Sequence, residues 1–237
     1  MKHFTFWRID AIIKVSFRKR GIYMTTLIFV RHGQSESNLA RVFTGQGDTR
    51  LTPMGREQAE RTAQYLKQFP ITHIYASDLC RTMETAAPTA RELGLEIVPD
   101  RELREIYAGE WEGKPYETLK QVYGDSYQMW IDDLGRAHPE GGESVLELYR
   151  RVNRALDRII AAHQGECVAL FSHATPARAV ACRWFGYPPE EMAKVPWATN
   201  ASVSIVEYDE DGGARVIQYG YDGHQGDVAT SFPKGIV

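Results

Sequence analysis

Two histidines of this chain each follow a short apolar segment. Arg31 and His32 come directly after residues 27–30, and His173 follows residues 167–171 after a single serine. Both segments are short and β-rich, which predicts buried strands of a parallel sheet. The carboxyl ends of such strands meet at one edge, where open α/β sheets bind their ligands. We therefore expect one site that is built from both histidines.

Two arginines would make this site cationic. Arg31 precedes His32, and Arg81 falls in the first turn of the helix that is predicted after the second strand. A guanidinium matches phosphoryl oxygens in a bidentate manner and stays charged at any working pH. Helix N-termini at the same edge add backbone N–H donors. The ligand that these residue types predict is a phosphoryl group.

Chemistry at a phosphoryl group requires a nucleophile and a proton donor. A histidine nitrogen can attack phosphorus when the other ring nitrogen is held by a hydrogen bond. We expect Gly33 to let the backbone pass close to the ring of His32. The leaving alkoxide needs a carboxylic acid that is still protonated near neutral pH. The residues alone leave this choice open among four glutamates: Glu102, Glu105, Glu110 and Glu112.

The elements that must position these residues alternate between strands and helices. This pattern predicts an α/β fold, a three-layer αβα sandwich with a mainly parallel central sheet and helices on both faces. Strands are predicted at residues 27–30, 71–76, 95–98, 167–171, 203–208 and 214–219. The last two flank an Asp-Gly-Gly turn and indicate a hairpin.

Helix boundaries follow from capping residues and prolines. Pro88 is expected to kink its helix or to mark the true start. The predicted N-caps are Thr52 before Pro53, either Ser77 or Asp78, and Thr175 before Pro176. Residues 107–142 are rich in glycine and aromatic residues and lack a clear period, which predicts a lid subdomain over the strand ends. We expect Trp111, Tyr116 and Trp130 to form the core of that lid.

The composition excludes several classes of function. The net charge of −3 argues against a nucleic-acid partner and against stable membrane association. The three cysteines have neither metal-type spacing nor an even disulfide set, which predicts a cytoplasmic location.

Residues 1–23 are basic, and charged residues interrupt the apolar stretch that a signal peptide would need. We therefore expect a dispensable or misassigned extension before a single domain at residues 24–237. A basic membrane-surface segment is the alternative for that extension.

A set of ordered motifs gives the chain a family resemblance. Between residues 25 and 219, the sequence resembles the histidine phosphatase superfamily in its phosphoglycerate-mutase-like branch. The segments that carry the resemblance are residues 30–38 with the Arg31-His32-Gly33 triplet, 43–45, 51–55, 76–82, 103–105, 109–113, 141–144 and 171–174. Three matching residues would be weak evidence, but the ordered set is highly specific.

The resemblance implies a role for each site residue. His32 would be the nucleophile that becomes phosphohistidine, and Glu105 would be the proton donor. The residues that would hold the phosphoryl oxygens or line their pocket are Arg31, Asn38, Thr44, Arg81, His173 and Ala174. Asn38 and Thr44 have ordinary loop capping as an alternative role. No metal ion and no cofactor is implied, since arginines and imidazoles supply the positive charge.

Two positions distinguish the hydrolytic members from the mutases. The resemblance places a tryptophan of the mutases where this chain has Ser37, and a substrate-gripping arginine where it has Ile106. The loss of that arginine removes a charge-assisted bond worth roughly 1.5–3 kcal/mol. We therefore expect a metal-independent phosphomonoesterase of the histidine acid phosphatase type. Its partner would be a small phosphorylated metabolite, with broad specificity or a preference for an α-ribazole-phosphate-like ester.

Several alternatives stay open at this point. The first is a cofactor-dependent phosphoglycerate mutase, and the second is a non-catalytic phosphate or phosphopeptide binder. A protein phosphohistidine phosphatase is a third, although those relatives are shorter and lack a long lid. None of the cysteines is followed by an arginine six positions later, which excludes a cysteine phosphatase. A homodimer is compatible with the sequence.

Overall fold

The computed structural model describes residues 24–231. The basic extension at residues 1–23 and its predicted dispensability therefore lie outside the described residues. None of the helices within the described range combines the length and the apolar character needed to cross a membrane.

A six-stranded sheet occupies the centre of the molecule, with the strand order β4-β3-β6-β1-β7-β8. The strands are β1 (Thr25–Arg31), β3 (His73–Ala76), β4 (Ile97–Pro99), β6 (Cys167–Ser172), β7 (Val203–Tyr208) and β8 (Ala214–Tyr221). Strands β4, β3, β6 and β1 pair in parallel, whereas β7 is antiparallel to both β1 and β8. Two short strands, β2 (Val42–Phe43) and β5 (Lys114–Pro115), form a separate antiparallel pair.

Helices cover both faces of the central sheet, as the alternation of buried side chains in β1 shows. Leu27 and Phe29 belong to one apolar core, and Ile28 and Val30 belong to the other. The first core contains α6 (Val145–Ala162) and α7 (Ala174–Trp184), and the second contains α2 (Pro53–Leu66) and α3 (Cys80–Leu93). The predicted three-layer αβα sandwich with a mainly parallel sheet is confirmed.

The predicted helix caps are only partly correct. Thr52 caps α2, since its side chain accepts a hydrogen bond from the amide of Gly55. The expectation that Ser77 or Asp78 caps α3 is wrong, because Leu79 occupies that position and its side chain accepts no capping bond. The Asp48 carboxylate supplies the bond instead, by accepting from the Cys80 amide at 2.8 Å.

The start of α7 also differs from the prediction. The helix begins at Ala174, so His173 and not Thr175 is its N-cap residue. Pro88 lies inside α3 and does not mark its start. The predicted strand at residues 95–98 is displaced to Ile97–Pro99, and the strand predicted from residue 71 begins at His73. The ends of helices and strands are the part of a fold that local sequence patterns predict least well.

The predicted lid covers the carboxyl edge of the parallel strands. It contains α4 (Tyr116–Val122) and α5 (Gly124–Asp132), and the short α1 (Glu36–Ala40) precedes β2 on the same side. Trp111 is fully buried, and the ring of Phe43 lies 5.5 Å from it and 5.1 Å from the ring of Trp130. These edge-to-face contacts form the lid core that was expected for Trp111 and Trp130. Tyr116 is only partly buried.

Candidate active site

One cavity of about 230 Å³ opens at the carboxyl edge of β1 and β6. With the exception of His173, the residues predicted for the site all line it: Arg31, His32, Asn38, Thr44, Arg81, Glu105 and Ala174. Arg31 is the last residue of β1, Arg81 lies in the first turn of α3, and Ala174 begins α7. The parallel sheet thus brings together residues that are far apart in the chain.

The ring of His32 is held in one tautomer by the backbone. Its Nδ1 atom lies 2.7 Å from the carbonyl oxygen of Gly33. A carbonyl oxygen can only accept, so Nδ1 carries the hydrogen and donates it. The neutral ring then leaves Nε2 unprotonated, which is the state that a histidine nucleophile needs.

The structure shows a reason for a glycine at position 33 in addition to the predicted one. A Cβ atom on Gly33 would lie 2.6 Å from the carbonyl oxygen of Gly55 in the first turn of α2. A backbone oxygen at this distance cannot move aside cheaply. Gly33 therefore permits close packing of the loop after β1 against α2. Its carbonyl oxygen also lies 2.7 Å from His32 Nδ1, so the backbone passes close to the ring as predicted.

His32 sits in surroundings that disfavour its protonated form. The side chain is 4% exposed, and burial lowers the pKa of His32 well below its usual 6.5, with further lowering by Arg81 and Arg31. Only the bond to Gly33 acts in the opposite direction. These effects keep the imidazole neutral, and hence nucleophilic, at neutral pH.

This pKa shift predicts a directly measurable titration. A histidine whose pKa is depressed stays unprotonated as the pH falls through 6.5 and takes up its proton only at lower pH. We expect NMR of the ring nitrogens of His32, assigned by comparison with His32→Asn, to show a neutral imidazole at pH 6.5. A His32 midpoint at or above 6.5 would refute the electrostatic description of the cavity.

Arg31 and Arg81 are fixed before any substrate arrives. Arg81 donates to the carbonyl oxygens of Gly45 at 2.8 Å and Gly47 at 2.9 Å, and Arg31 donates to that of Ala198 at 2.6 Å. Burial lowers the pKa of each guanidinium from 12.5 to about 10, against the raising effect of nearby Glu105. Both side chains stay cationic at neutral pH, which gives the cavity a preorganised positive field.

His173 lies next to the cavity, but it is not one of the residues between 24 and 231 that form the cavity wall. Its ring is fully buried, with its centroid 5.1 Å from that of His32. The Nε2 atom lies 2.8 Å from the Ser77 hydroxyl and 3.2 Å from that of Thr82. In the described part of the chain, Nδ1 has no hydrogen-bond partner. An unsatisfied buried polar atom is rare in proteins and marks a strained, catalytic or water-binding position.

The structure separates the four candidate glutamates. Within residues 24–231, Glu105 is the one that lines the cavity. Its Oε1 accepts from the Ile106 amide at 2.9 Å, and its Oε2 accepts from the Thr175 amide at 3.3 Å in the first turn of α7. Glu112 is occupied elsewhere, since its Oε1 accepts from the amides of Gln46 and Ala108. These backbone bonds hold the Glu105 carboxyl in one orientation at the cavity.

Asn38 combines the two roles that the sequence left open for it. Its Oδ1 accepts from the Ser35 amide at 3.2 Å and completes the capping box of α1. The same oxygen accepts from the Asn200 side chain at 3.1 Å. Thr44 lines the cavity as well, with its hydroxyl donating to the carbonyl of Val42 at 3.3 Å.

The loop before β7 contains site residues that the sequence did not reveal. Asn200 lines the cavity and donates from its side chain to the His32 carbonyl at 3.2 Å, and the Ala201 amide donates to the same oxygen at 3.1 Å. Because β7 runs antiparallel to β1, this loop lies at the carboxyl end of β1. The one local signal was Asn-Ala-Ser at residues 200–202, which resembles a glycosylation sequon and says nothing about a cavity.

The chain is similar in sequence to several known proteins. A family model described as the histidine phosphatase superfamily, branch 1, matches residues 27–219. Phosphoserine phosphatase 1 of Hydrogenobacter thermophilus is 32% identical over 190 residues, which span 79% of this chain and 88% of the relative. Phosphoglycerate mutase-like protein 4 of Arabidopsis thaliana is 35% identical over 192 residues, which span 80% and 82%.

A solved structure shows the same arrangement of elements. Bacillus stearothermophilus YhfR superposes with a TM-score of 0.81 at 29% identity, and the match covers 85% of this chain and 99% of YhfR. The similar proteins carry both phosphatase and mutase names. These names alone do not distinguish between hydrolysis and transfer of a phosphoryl group in this chain.

Proposed function

The chain belongs to the histidine phosphatase superfamily, branch 1, and we propose that it hydrolyses small organic phosphomonoesters through a phosphohistidine at His32. The observation that carries this proposal is the bond from His32 Nδ1 to the Gly33 carbonyl, which leaves Nε2 free beside two buried arginines. A binding site for phosphate needs no such nitrogen. This feature favours an enzyme over a non-catalytic phosphate or phosphopeptide binder.

The proposed reaction has two displacements at phosphorus. In the first, His32 Nε2 forms a bond to phosphorus while the bond to the leaving oxygen breaks, and Glu105 gives a proton to that oxygen. In the second, water attacks the phosphohistidine, Glu105 takes a proton from the water, and His32 is released with inorganic phosphate. Arg31, Arg81 and His173 would hold the phosphoryl oxygens and balance their charge during both steps.

The cavity wall favours water over a sugar acid as the phosphoryl acceptor. Ile106, at the position where the resembling mutases have an arginine, is fully buried in the apolar core and lies outside the described cavity wall. Among the described wall residues, the cationic side chains are Arg31 and Arg81. The phosphoryl group would bind both of these arginines. A substrate carboxylate would have no cation of its own, which is unfavourable for a mutase.

The remainder of the wall indicates the character of the leaving group. Tyr116, Trp130 and Trp197 provide aromatic surface, and Thr199 and Asn200 provide uncharged polar groups. Such a mixture suits an uncharged leaving group with an apolar face and hydroxyls. The proposed substrates are therefore phosphomonoesters of an uncharged alcohol, a class that includes α-ribazole phosphate.

A small substrate panel tests this proposal. We expect kcat/KM for p-nitrophenyl phosphate and α-ribazole phosphate to exceed that for phosphoserine and 3-phosphoglycerate by about 10- to 100-fold, since a carboxylate that loses its hydration without gaining a cationic partner costs ~1–3 kcal/mol. The measurement is phosphate release with excess chelator present, alongside a mutase assay with 3-phosphoglycerate. Chelator is included because the arginines and imidazoles are proposed to replace a metal ion.

Each part of the proposal can fail separately in that panel. Activity that disappears with chelator would contradict the metal-independent mechanism. Faster mutase turnover than hydrolysis would reverse the choice between the two fates of the phosphoryl group.

We also propose that residues 24–237 form one domain. The cytoplasmic location and the homodimer stay predictions from the sequence.

A further inference from the structure

Three metal-ligand side chains lie together at the edge of the sheet opposite the cavity. His73 is the first residue of β3, His163 follows the end of α6, and Glu166 directly precedes β6. The two histidines of the candidate active site follow the other ends of β1 and β6. The six residues of β6 separate the two edges by about 20 Å at about 3.3 Å per residue.

The spacing of the ligand atoms matches the needs of a small divalent ion. Glu166 Oε2 lies 2.9 Å from His73 Nδ1 and 3.2 Å from His163 Nδ1. All three ligand atoms lie within 4.8 Å of one another. In a tetrahedral zinc site with bonds of about 2.0–2.1 Å, ligand atoms are about 3.3 Å apart. The two distances from Glu166 Oε2 are therefore close to this spacing, and the two histidine nitrogens, which lie within 4.8 Å of each other, would reach it by a rotation of the side chains.

Hydrogen bonds from outside the cluster hold two of the three ligands, His163 and Glu166, in place. His163 Nε2 lies 2.9 Å from the hydroxyl of Tyr75. When Nε2 carries the ring hydrogen and donates it to this oxygen, the Nδ1 lone pair is directed to an ion. Thr72 donates to Glu166 Oε2 at 3.1 Å. Metal-ligating histidines almost always have such a partner on the other ring nitrogen, and it fixes both tautomer and orientation.

Exposure and donor chemistry narrow the class of ion. The side chains of His73 and Glu166 are each 40% exposed, whereas that of His163 is 11% exposed. An ion can thus enter from solvent and keep a water molecule as its fourth ligand. Two imidazoles with one carboxylate suit zinc and its neighbours in the first transition row, whereas calcium and magnesium prefer oxygen ligands.

From these contacts we infer a binding site for one divalent transition-metal ion of the zinc type, held by His73, His163 and Glu166. The ion would join the start of β3, the end of α6 and the entry to β6, which are distant in the sequence. Its place at the far edge of the sheet gives it a stabilising role and no part in phosphoryl transfer. An ion that binds only the folded chain raises the unfolding temperature.

Thermal unfolding of the full chain with and without Zn²⁺ tests the site. After chelator treatment and dialysis, added Zn²⁺ at about 100 times its Kd should raise the midpoint by about 5–10 °C. Isothermal titration with Zn²⁺ alone should give one site per chain. His73→Gln and Glu166→Gln should abolish both effects, and because both side chains are partly exposed, these variants should fold and hydrolyse p-nitrophenyl phosphate at the unaltered rate.

Two control variants test whether the ion binds at a histidine outside the cluster. His138→Gln alters an exposed histidine outside the cluster and should retain the full shift. His32→Ala removes an imidazole from the cavity and should retain it as well. The inference is overturned if the unaltered chain shows no shift, if the two cluster variants keep it, or if His32→Ala loses it. Since no cluster residue lines the cavity, failure here leaves the proposed phosphatase activity untouched.

Discussion

His32→Ala should abolish the phosphoenzyme and lower kcat by roughly 10³- to 10⁶-fold, the range seen when a covalent nucleophile is removed. The physical reason is the loss of Nε2, the ring nitrogen that the Nδ1–Gly33 bond leaves unprotonated. Without it, water must attack the ester directly. The arginines, whose positions are set by backbone carbonyls, would still bind phosphate, so the variant should retain substrate affinity.

The decisive measurement is trapping of the covalent intermediate. The unaltered enzyme, quenched during turnover, should carry an acid-labile phosphoryl group at residue 32, detected by mass spectrometry under alkaline conditions. His138→Ala is the matched control, since it removes an exposed histidine and should leave both turnover and the intermediate intact. Unchanged turnover in His32→Ala would refute the assignment. A phosphoryl group trapped on His173 would move the nucleophile to the neighbouring ring.

Local sequence patterns were sufficient to predict that His32 and His173 lie at the same edge of the sheet. Each one follows an apolar segment that forms a parallel strand, and β1 and β6 are neighbours in the sheet, with Arg31 opposite Ser172. Arg81 joins them because α3 follows β3, which pairs with the other side of β6. Each step depends on a local pattern and on the rule that parallel strands share a carboxyl edge. That rule does not require knowledge of distant contacts.

The remaining features of the site depend on contacts that no local pattern encodes. Asn200 reaches the His32 carbonyl across 168 positions of sequence, because an antiparallel strand lies beside β1. Asp48 replaces the expected cap of α3 from 32 positions away. Gly33 is required by the backbone of Gly55 in another element. In each case the determining partner is fixed only once the tertiary fold exists.

The proton donor could be predicted only in part from the sequence. The residue types alone left four glutamates as candidates for the proton donor, and the family resemblance indicated Glu105. In the structure, what distinguishes Glu105 is its position on the cavity wall between the start of α7 and the amide of Ile106. Short carboxylate-rich segments carry too little periodicity to show which side chain points inward. A kinetic test is therefore needed to assign the role.

Glu105→Gln should slow hydrolysis of alkyl phosphates by about 10²- to 10⁴-fold, the usual contribution of a general acid. An amide cannot give a proton to the departing oxygen, and an alkoxide leaves poorly without one. p-Nitrophenolate is a far better leaving group, so formation of the phosphoenzyme from p-nitrophenyl phosphate should be much less affected. The measurement compares single-turnover rates for a series of esters whose leaving groups differ in pKa.

The second displacement gives the variant a further signature. If Glu105 also takes the proton from water, Glu105→Gln should accumulate phosphohistidine and show a burst of p-nitrophenol before a slow steady state. Glu110→Gln makes the same chemical change at an exposed glutamate and should behave like the unaltered enzyme. An equal loss for alkyl and aryl esters, with no burst, would mean that the Glu105 carboxyl only holds the backbone of Ile106 and Thr175. The steep dependence on leaving group is thus what separates proton transfer from a structural role.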